Sequence, residues 1–274
     1  MHSAGGPNPG PAELGQGQPA FLSNKQYMSD HDRARKLSLW VDFCAAHRVA
    51  ERSVPLFACD SSGCVLAEPY GRNGRLVLRR SPEMEALLVE AGDRVIHAHR
   101  EGRREIEGVL YMMIRLDAGQ VTPLYIGRTG MFGVNGGLSA NLKGIHTDRG
   151  KFARWGSNYA YHIGDLSAAA CPGHPEGKRV RKYQRWAERL FVEVPSPRPR
   201  LRAEVRFWAT VWGPETRSIW REYGRTSLAF EEYLLIGVAS DLFPNDLLND
   251  EGVNRRAASD AGDDLPPVPD VLTS

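Results

Sequence analysis

Two largely apolar runs separated by a short polar segment form the clearest pattern in the chain. The runs are 108–116 (GVLYMMIRL) and 121–127 (VTPLYIG), and residues 117–120 (DAGQ) separate them. Continuous apolar runs of this length are typical of buried strands, and turn-forming residues between them favour a hairpin. Pro123 is tolerated near the start of a strand or on an edge strand. The pattern therefore predicts an antiparallel β-hairpin.

Four further segments show apolar spacing typical of regular structure. They predict helices over 33–48, 82–91 and 226–243 and a third strand over 203–212. Pro82 and the acidic residues after it favour a helix start, and Gly92-Asp93 predicts its end. Thr226 or Ser227 is the candidate N-cap of the last helix. Helices and antiparallel strands in this order predict an α+β fold.

Composition suggests four segments. Residues 1–22 contain five Gly and four Pro and few large apolar side chains. Such a segment cannot bury enough apolar surface to offset the entropy of ordering, so it is predicted to be a disordered tail. Residues 251–274 are acidic and rich in proline and are predicted to be a second disordered tail. Between the tails we expect a mostly helical accessory region over 23–105 and the main domain over 106–250.

The overall composition excludes several classes of protein. With 42% hydrophobic and 25% charged residues, the chain is neither collagen-like, nor a coiled coil, nor wholly disordered. No apolar run approaches the ~18 residues of a membrane span, and no basic start is followed by an apolar stretch. We therefore expect no membrane association and no secretory signal. Four cysteines in 274 residues do not form a disulfide scaffold, so a reducing, cytoplasmic location is expected.

Cysteine and histidine spacing leaves a metal site open. Cys44 and His47 are followed by Cys59 and Cys64, which together could supply four zinc ligands. The pair spacings match no common zinc motif, and unpaired cysteines are the preferred interpretation.

Positive charge is concentrated in one stretch, although the net charge of the chain is only +2. Residues 178–206 hold ten Lys or Arg against three Glu, with Tyr183, Trp186 and Phe191 among them. One interpretation is a solvated helix followed by a proline-rich loop. The other is a patch that contacts phosphates. The negative charge of the acidic tail then offsets the positive charge of this patch, so that the net charge of the chain stays small.

The predicted hairpin carries two tyrosines that can lie on one face of adjacent strands. Tyr111 ends the segment GVLY, and Tyr125 begins the segment YIG. Gly127 leaves room for a backbone or a phosphate to approach. This pair of segments resembles the GIY-YIG nuclease family, with YIG intact and one extra residue before the tyrosine of the first half.

A later helix extends the resemblance. The family has a Glu followed by Leu-Ile and then by a Pro and an Asn, and this chain has Glu232-Tyr233-Leu234-Leu235-Ile236, then Pro244 and Asn249, with Asn245 as the alternative. One helical turn on either side of Glu232 stand Leu228 and Ile236, and an unpaired carboxylate against apolar surface costs several kcal/mol. Glu232 is therefore either a metal ligand at the sheet face or, with Glu231, part of a solvent-facing edge.

The family also requires an arginine after the hairpin. Arg128 follows YIG directly and is too close by this reasoning, so the candidates are Lys143, Arg149 and Arg154. Arg154 is preferred because neighbouring apolar residues would anchor it; the alternative is a surface arginine. His162 is a candidate for proton transfer or phosphate binding, or else a structural histidine.

The resemblance covers about 106–250 and implies a small antiparallel three-stranded sheet flanked by helices. It implies a metal-dependent endonuclease that hydrolyses DNA phosphodiester bonds. Tyr111 or Tyr125 would activate the water, Arg154 would balance charge on the phosphate, and Glu232 would hold one Mg²⁺ or Mn²⁺. The alternative is a catalytically inactive module that binds nucleic acid or protein on the same fold. The oligomeric state is left open.

Overall fold

The computed structural model describes most of the chain, namely residues 28–70, 73–143, 145 and 163–254. The predicted tail 1–22 lies outside the described residues, as does the predicted tail 251–274 beyond residue 254. Met28–Asn254 forms one compact unit. Within the described residues, no helix is both long enough and apolar enough to cross a membrane.

An antiparallel sheet runs through this unit. The strands are, in chain order, β1 (Val54–Pro55), β2 (Ala67–Tyr70), β3 (Arg75–Leu78), β4 (Gly108–Asp117), β5 (Gln120–Gly130) and β6 (Arg206–Trp212). Within the described residues the main sheet has four strands in the order β1-β6-β4-β5, and β2 and β3 form a separate hairpin. The prediction of three strands was wrong because Val54 pairs with Phe207 and adds a short strand from the N-terminal region. The predicted α+β class is confirmed.

Helices pack on both faces of this sheet. They are α1 (Asp30–Ala46), α2 (Val49–Arg52), α3 (Pro82–Arg100), α4 (Ile163–Ala170), α5 (Arg181–Leu190) and α6 (Leu228–Leu242). Ser227 caps α6 through its side chain, which accepts a hydrogen bond from the backbone N–H of Phe230. The three predicted helices correspond to α1, α3 and α6.

Helix α3 does not end at Gly92, contrary to the prediction. It continues to Arg100 because Val95, Ile96 and Ala98 keep burying apolar side chains. A Cβ on Gly92 would lie 2.6 Å from the side chain of Ile145. This glycine therefore provides space for a neighbouring segment and does not stop the helix.

Alternating side chains of the central strand β4 supply the two hydrophobic clusters. Tyr111 and Met113 belong to the cluster that includes residues of α3 and α5, whereas Leu110 and Met112 belong to the cluster that includes residues of α1 and α6. This alternation is the geometry of a strand buried on both faces. A group on α5 and a group on α6 can therefore meet only around an edge of the sheet.

Strand β5 is that edge. Pro123 is accommodated there because an edge strand tolerates a residue without a backbone N–H. The register between β4 and β5 shifts at Met113 and Ile114, so Tyr125 pairs with Met113 and Pro123 pairs with Ile114. The shift places Leu124 in a bulge.

A buried carboxylate ties the loop before α6 to the helix. Glu231 is 0% exposed. Its carboxylate accepts hydrogen bonds from the Ser218 hydroxyl (2.6 Å), the Ile219 backbone N–H (2.7 Å) and the Thr226 hydroxyl (2.7 Å). The interpretation of Glu231 as a solvent-facing residue was wrong, since its partners come from a loop that the helical pattern does not reveal.

Glu231→Ala is expected to lower the free energy of unfolding by about 3 kcal/mol, because it leaves three buried donors without an acceptor. Urea denaturation measures the change. Glu215→Ala, an exposed carboxylate of the same loop, is the matched control and should stay within about 0.5 kcal/mol of wild type. Equal stabilities of the two variants would contradict the structural role of Glu231.

Candidate active site at the edge of the sheet

Tyr111 lies directly against Gly127 on the neighbouring strand. The two residues are paired in the β4–β5 register, and a Cβ on Gly127 would lie 2.7 Å from the phenol oxygen of Tyr111. Phe207 stacks on the other side, with ring centroids 5.7 Å apart. Gly127 therefore makes room for the Tyr111 ring, and the expectation that it admits a backbone or a phosphate was wrong.

The two tyrosines form a pair on one face of the sheet, as predicted. Their ring centroids are 6.3 Å apart, and a hydrogen bond joins the side chains of Tyr111 and Tyr125. Trp186 of α5 packs against Tyr125 with the centroids 4.7 Å apart. Both tyrosines are buried, but Tyr125 lines a surface cleft and Tyr111 lies behind it.

Glu232 projects from α6 toward β5 and meets Arg128. The guanidinium Nε of Arg128 donates to Oε2 of Glu232 at 2.7 Å. The Glu232 side chain is 18% exposed and the Arg128 side chain is 40% exposed. Burial raises the pKa of Glu232, and the positive charge of Arg128 partly offsets this effect. Arg128, excluded above as too close to YIG for the arginine of the family, thus reaches the carboxylate from its own strand.

Asn249 closes the backbone edge of β5. Its side-chain amide donates to the carbonyl of Ile126 at 2.8 Å, and its side-chain oxygen accepts from the Ile126 N–H at 3.0 Å. The backbone N–H of Leu248 donates to the carbonyl of Leu124 at 2.8 Å. The side chain of Asn249 thus positions the YIG strand through Ile126. Asn245, the alternative, makes no such contact to Ile126.

These elements surround a cleft of about 220 Å³ at the edge of β5, between α5 and α6. Its lining includes Tyr125, Lys182, Glu232, Tyr233, Asn249 and Asp250. Tyr125 approaches from one face of the sheet and Glu232 comes around the edge from the helix on the other. The predicted position of Glu232 at a sheet face is therefore corrected to the sheet edge.

Charges in the cleft act on the ionisation of its side chains. Burial, and then the nearby carboxylates of Glu232 and Glu251, raise the pKa of Tyr125 to about 12. The ammonium of Lys182 lies 5.2 Å from the centroid of the Tyr125 ring. Burial lowers the pKa of Lys182, and the neighbouring acids Asp250 and Glu251 oppose that change. Burial thus disfavours the charged form of both side chains, the phenolate of Tyr125 and the ammonium of Lys182.

Glu232, Asp250 and Glu251 are the carboxylates that line the cleft, and Glu232 is the one to which the motif resemblance assigns a divalent cation. Among the described residues, no group of three or more His, Cys, Asp or Glu side chains is placed to hold a metal. A single carboxylate completed by water molecules is a mode that Mg²⁺ accepts, because Mg²⁺ gives up its water ligands reluctantly. The residues present therefore fit a cation held by Glu232 and waters, with Arg128 as the competitor for the carboxylate.

The candidate zinc ligands are not assembled. Cys44, His47, Cys59 and Cys64 all lie within the described residues and form no such group. Nε2 of His47 is 2.7 Å from the carbonyl of Arg217. All four cysteines of the chain are free thiols, and Cys59 is exposed whereas Cys171 is buried.

Two predicted site residues, Arg154 and His162, lie outside the described residues. Two residues that were not selected from the sequence do belong to the site. Arg128 could have been found because it stands two positions after Ile126, which places both on the α6 side of the strand. Lys182 lay within the predicted basic stretch, whose helix is confirmed as α5, but its position over Tyr125 depends on tertiary packing.

No protein-family model, curated protein or solved structure matches this chain.

Gly127→Ala is expected to destabilise the protein by about 2 kcal/mol, because the added methyl group overlaps the Tyr111 ring between two packed neighbours. Thermal unfolding measures the change. Gly137→Ala is the matched control, since a Cβ there meets nothing within 4 Å. A melting temperature of Gly127→Ala equal to that of the control would show that Tyr111 does not lie on this glycine.

The Tyr125 phenol is expected to titrate near pH 12 in the native protein, compared with an ordinary value of about 10. The ultraviolet difference between wild type and Tyr125→Phe reports its phenolate, and Tyr223→Phe, at an exposed position, supplies the control. The native state keeps this proton after the unfolded chain has lost it. Wild type should therefore lose stability relative to Tyr125→Phe as the pH rises above about 10. A titration midpoint of Tyr125 at the ordinary value of about 10 would contradict its burial.

Proposed function

We propose that this protein is a metal-dependent endonuclease that hydrolyses DNA phosphodiester bonds. The observation that carries the proposal is the meeting of Tyr125, Arg128 and Glu232 at one strand edge. Asn249 holds the same edge through Ile126. Three of these four residues belong to the motifs that resemble the GIY-YIG family, and their proximity was not required by the local sequence pattern.

Phosphodiester hydrolysis needs a positioned water, neutralisation of charge on the phosphate and a stabilised leaving oxygen. Tyr125 is the tyrosine that lines the cleft, so it would orient the attacking water and accept its proton. Tyr111, hydrogen bonded behind it, would hold the Tyr125 hydroxyl in place. Because a phenol is a base only after losing its own proton, the cation would have to lower the raised pKa of Tyr125 by more than the phosphate raises it.

We assign to Arg128 the role that the resemblance implies for Arg154, which lies outside the described residues. Its guanidinium is partly exposed and can turn from Glu232 to a phosphate oxygen, which frees the carboxylate. Glu232 would then hold Mg²⁺ or Mn²⁺ through one oxygen. Such a cation would supply positive charge beside Tyr125 and the leaving 3′ oxygen.

A second candidate is a catalytically inactive module that binds nucleic acid or protein on the same fold. The observation that favours it is the ion pair itself, since Arg128 occupies Oε2 of Glu232 at 2.7 Å. A permanent pair would leave neither group for catalysis, and Tyr125 would remain a protonated phenol.

A plasmid-nicking assay with Mg²⁺, Mn²⁺ or EDTA separates the two candidates. Wild type is expected to nick DNA with either metal and not with EDTA. Glu232→Ala and Arg128→Gln should each lower the rate at least about 100-fold, the usual effect of removing one group that stabilises the transition state. Glu215→Ala and Arg94→Gln, at exposed positions away from the cleft, are the matched controls.

Equal nicking by wild type and Glu232→Ala would contradict the assignment of Glu232 as the metal ligand. Salt-sensitive DNA binding by wild type without any nicking would support the binding module instead.

A further inference from the structure

A second groove adjoins the cleft along the exposed side of α5. It encloses about 650 Å³, and its lining includes Arg181, Lys182, Arg185, Glu188 and Asp250. Lys182 and Asp250 line both the groove and the cleft. The two depressions therefore adjoin at this pair of residues.

Lys182 is held at the junction by aromatic rings. Its ammonium lies 5.2, 5.4 and 5.7 Å from the ring centroids of Tyr125, Trp186 and Tyr183. Within the described part of the chain, neither Lys182 nor its exposed neighbour Arg181 forms an ion pair. A lysine that is fixed by cation–π contacts keeps its positive charge available to an anion.

The arginines further along α5 differ in this respect. Arg185 pairs with Asp250, and Arg189 lies 3.7 Å from a carboxylate oxygen of Asp246. The segment that closes the edge of β5 thus neutralises the second half of the helix. The positive charge left for a ligand is at the start of α5, beside the cleft.

We propose that a nucleic-acid strand runs from the cleft into the α5 groove, and that Lys182 and Arg181 bind the phosphate next to the one at Tyr125 and Glu232. The carboxylate of Asp250, which also lines both depressions, repels the phosphates of the strand and so limits the affinity for it. This inference rests on the proposed function, because it takes the substrate to be a nucleic acid. The inference adds the path of the strand over the surface and the residues that bind the strand along this path.

The adjacency of the two depressions favours a linear polyanion. A phosphodiester backbone can occupy both at once, whereas a single phosphate ion fills only one. Contacts to two successive phosphates give a salt-dependent affinity that does not require a particular base sequence.

Fluorescence anisotropy with a short labelled DNA oligonucleotide tests the proposal. The measurements are made in EDTA over a series of salt concentrations, so that no cleavage contributes to the signal. The double variant Arg181→Gln/Lys182→Gln is expected to bind about fivefold more weakly than wild type, and the slope of log affinity against log salt should fall by about one, because the contact to one phosphate is lost. Arg94→Gln on α3 is the control and should bind like wild type.

Asp250→Asn should act in the opposite direction and tighten binding about threefold, because it removes the opposing charge. A folding defect would weaken binding, so an increase separates electrostatics from damage. Inorganic phosphate at matched ionic strength is expected to compete poorly with the oligonucleotide.

Unchanged affinity and salt slope in the double variant would overturn the proposal, as would the absence of DNA binding by wild type. Efficient competition by inorganic phosphate would reduce the site to one for single anions and would also overturn it. Nuclease activity is judged separately by nicking. DNA binding with the expected salt slopes but without nicking would support the groove as a binding site and contradict the proposed endonuclease. Nicking by wild type, together with an unchanged DNA affinity of the double variant, would support the endonuclease and contradict the groove.

Discussion

The backbone edge of β5 is the constraint on which the candidate site depends. An edge strand presents unpaired N–H and C=O groups, which must be satisfied or protected. Here the side-chain amide of Asn249 satisfies both backbone groups of Ile126, and Leu248 pairs with Leu124. This closure brings Asp250 and Glu251 beside Tyr125 and sets the negative charge of the cleft.

The same closure explains why groups from opposite faces of the sheet can meet. Tyr125 packs with Trp186 on the α5 side, and Glu232 stands on a helix that covers the other side. An interior strand would separate them. At an edge, the carboxylate of Glu232 and the phenol of Tyr125 share one cleft, and Arg128 joins them from the strand itself.

The parts of this arrangement that the sequence predicted are those with local signals. Unbroken apolar runs identified the hairpin, whereas Asn249 was selected, with Asn245 as the alternative, through the resemblance to the GIY-YIG family. Which of two adjacent acids is buried could not be predicted, because Glu231 finds its donors in Ser218 and Thr226 of the loop before α6, whose path the helical pattern does not indicate. Likewise, nothing local indicates that Gly127 accommodates the Tyr111 ring, since that contact depends on the register of two strands. Residues 54–55 are too short to carry a strand pattern of their own.

The order of the strands also has a consequence for how the chain folds. Strand β1 has no partner until residues 206–207 are available, and the edge of β5 is not closed until residues 248–249 are. Contacts between such distant parts of a chain require the closure of a long loop, which costs conformational entropy before the contacts stabilise the fold. This cost slows folding. During synthesis, the hairpin of β4 and β5 can form early against α1 and α3, which precede it in the chain. The parts of its apolar faces that pack on β6, α5 and α6 stay uncovered until nearly all of the folded unit has left the ribosome.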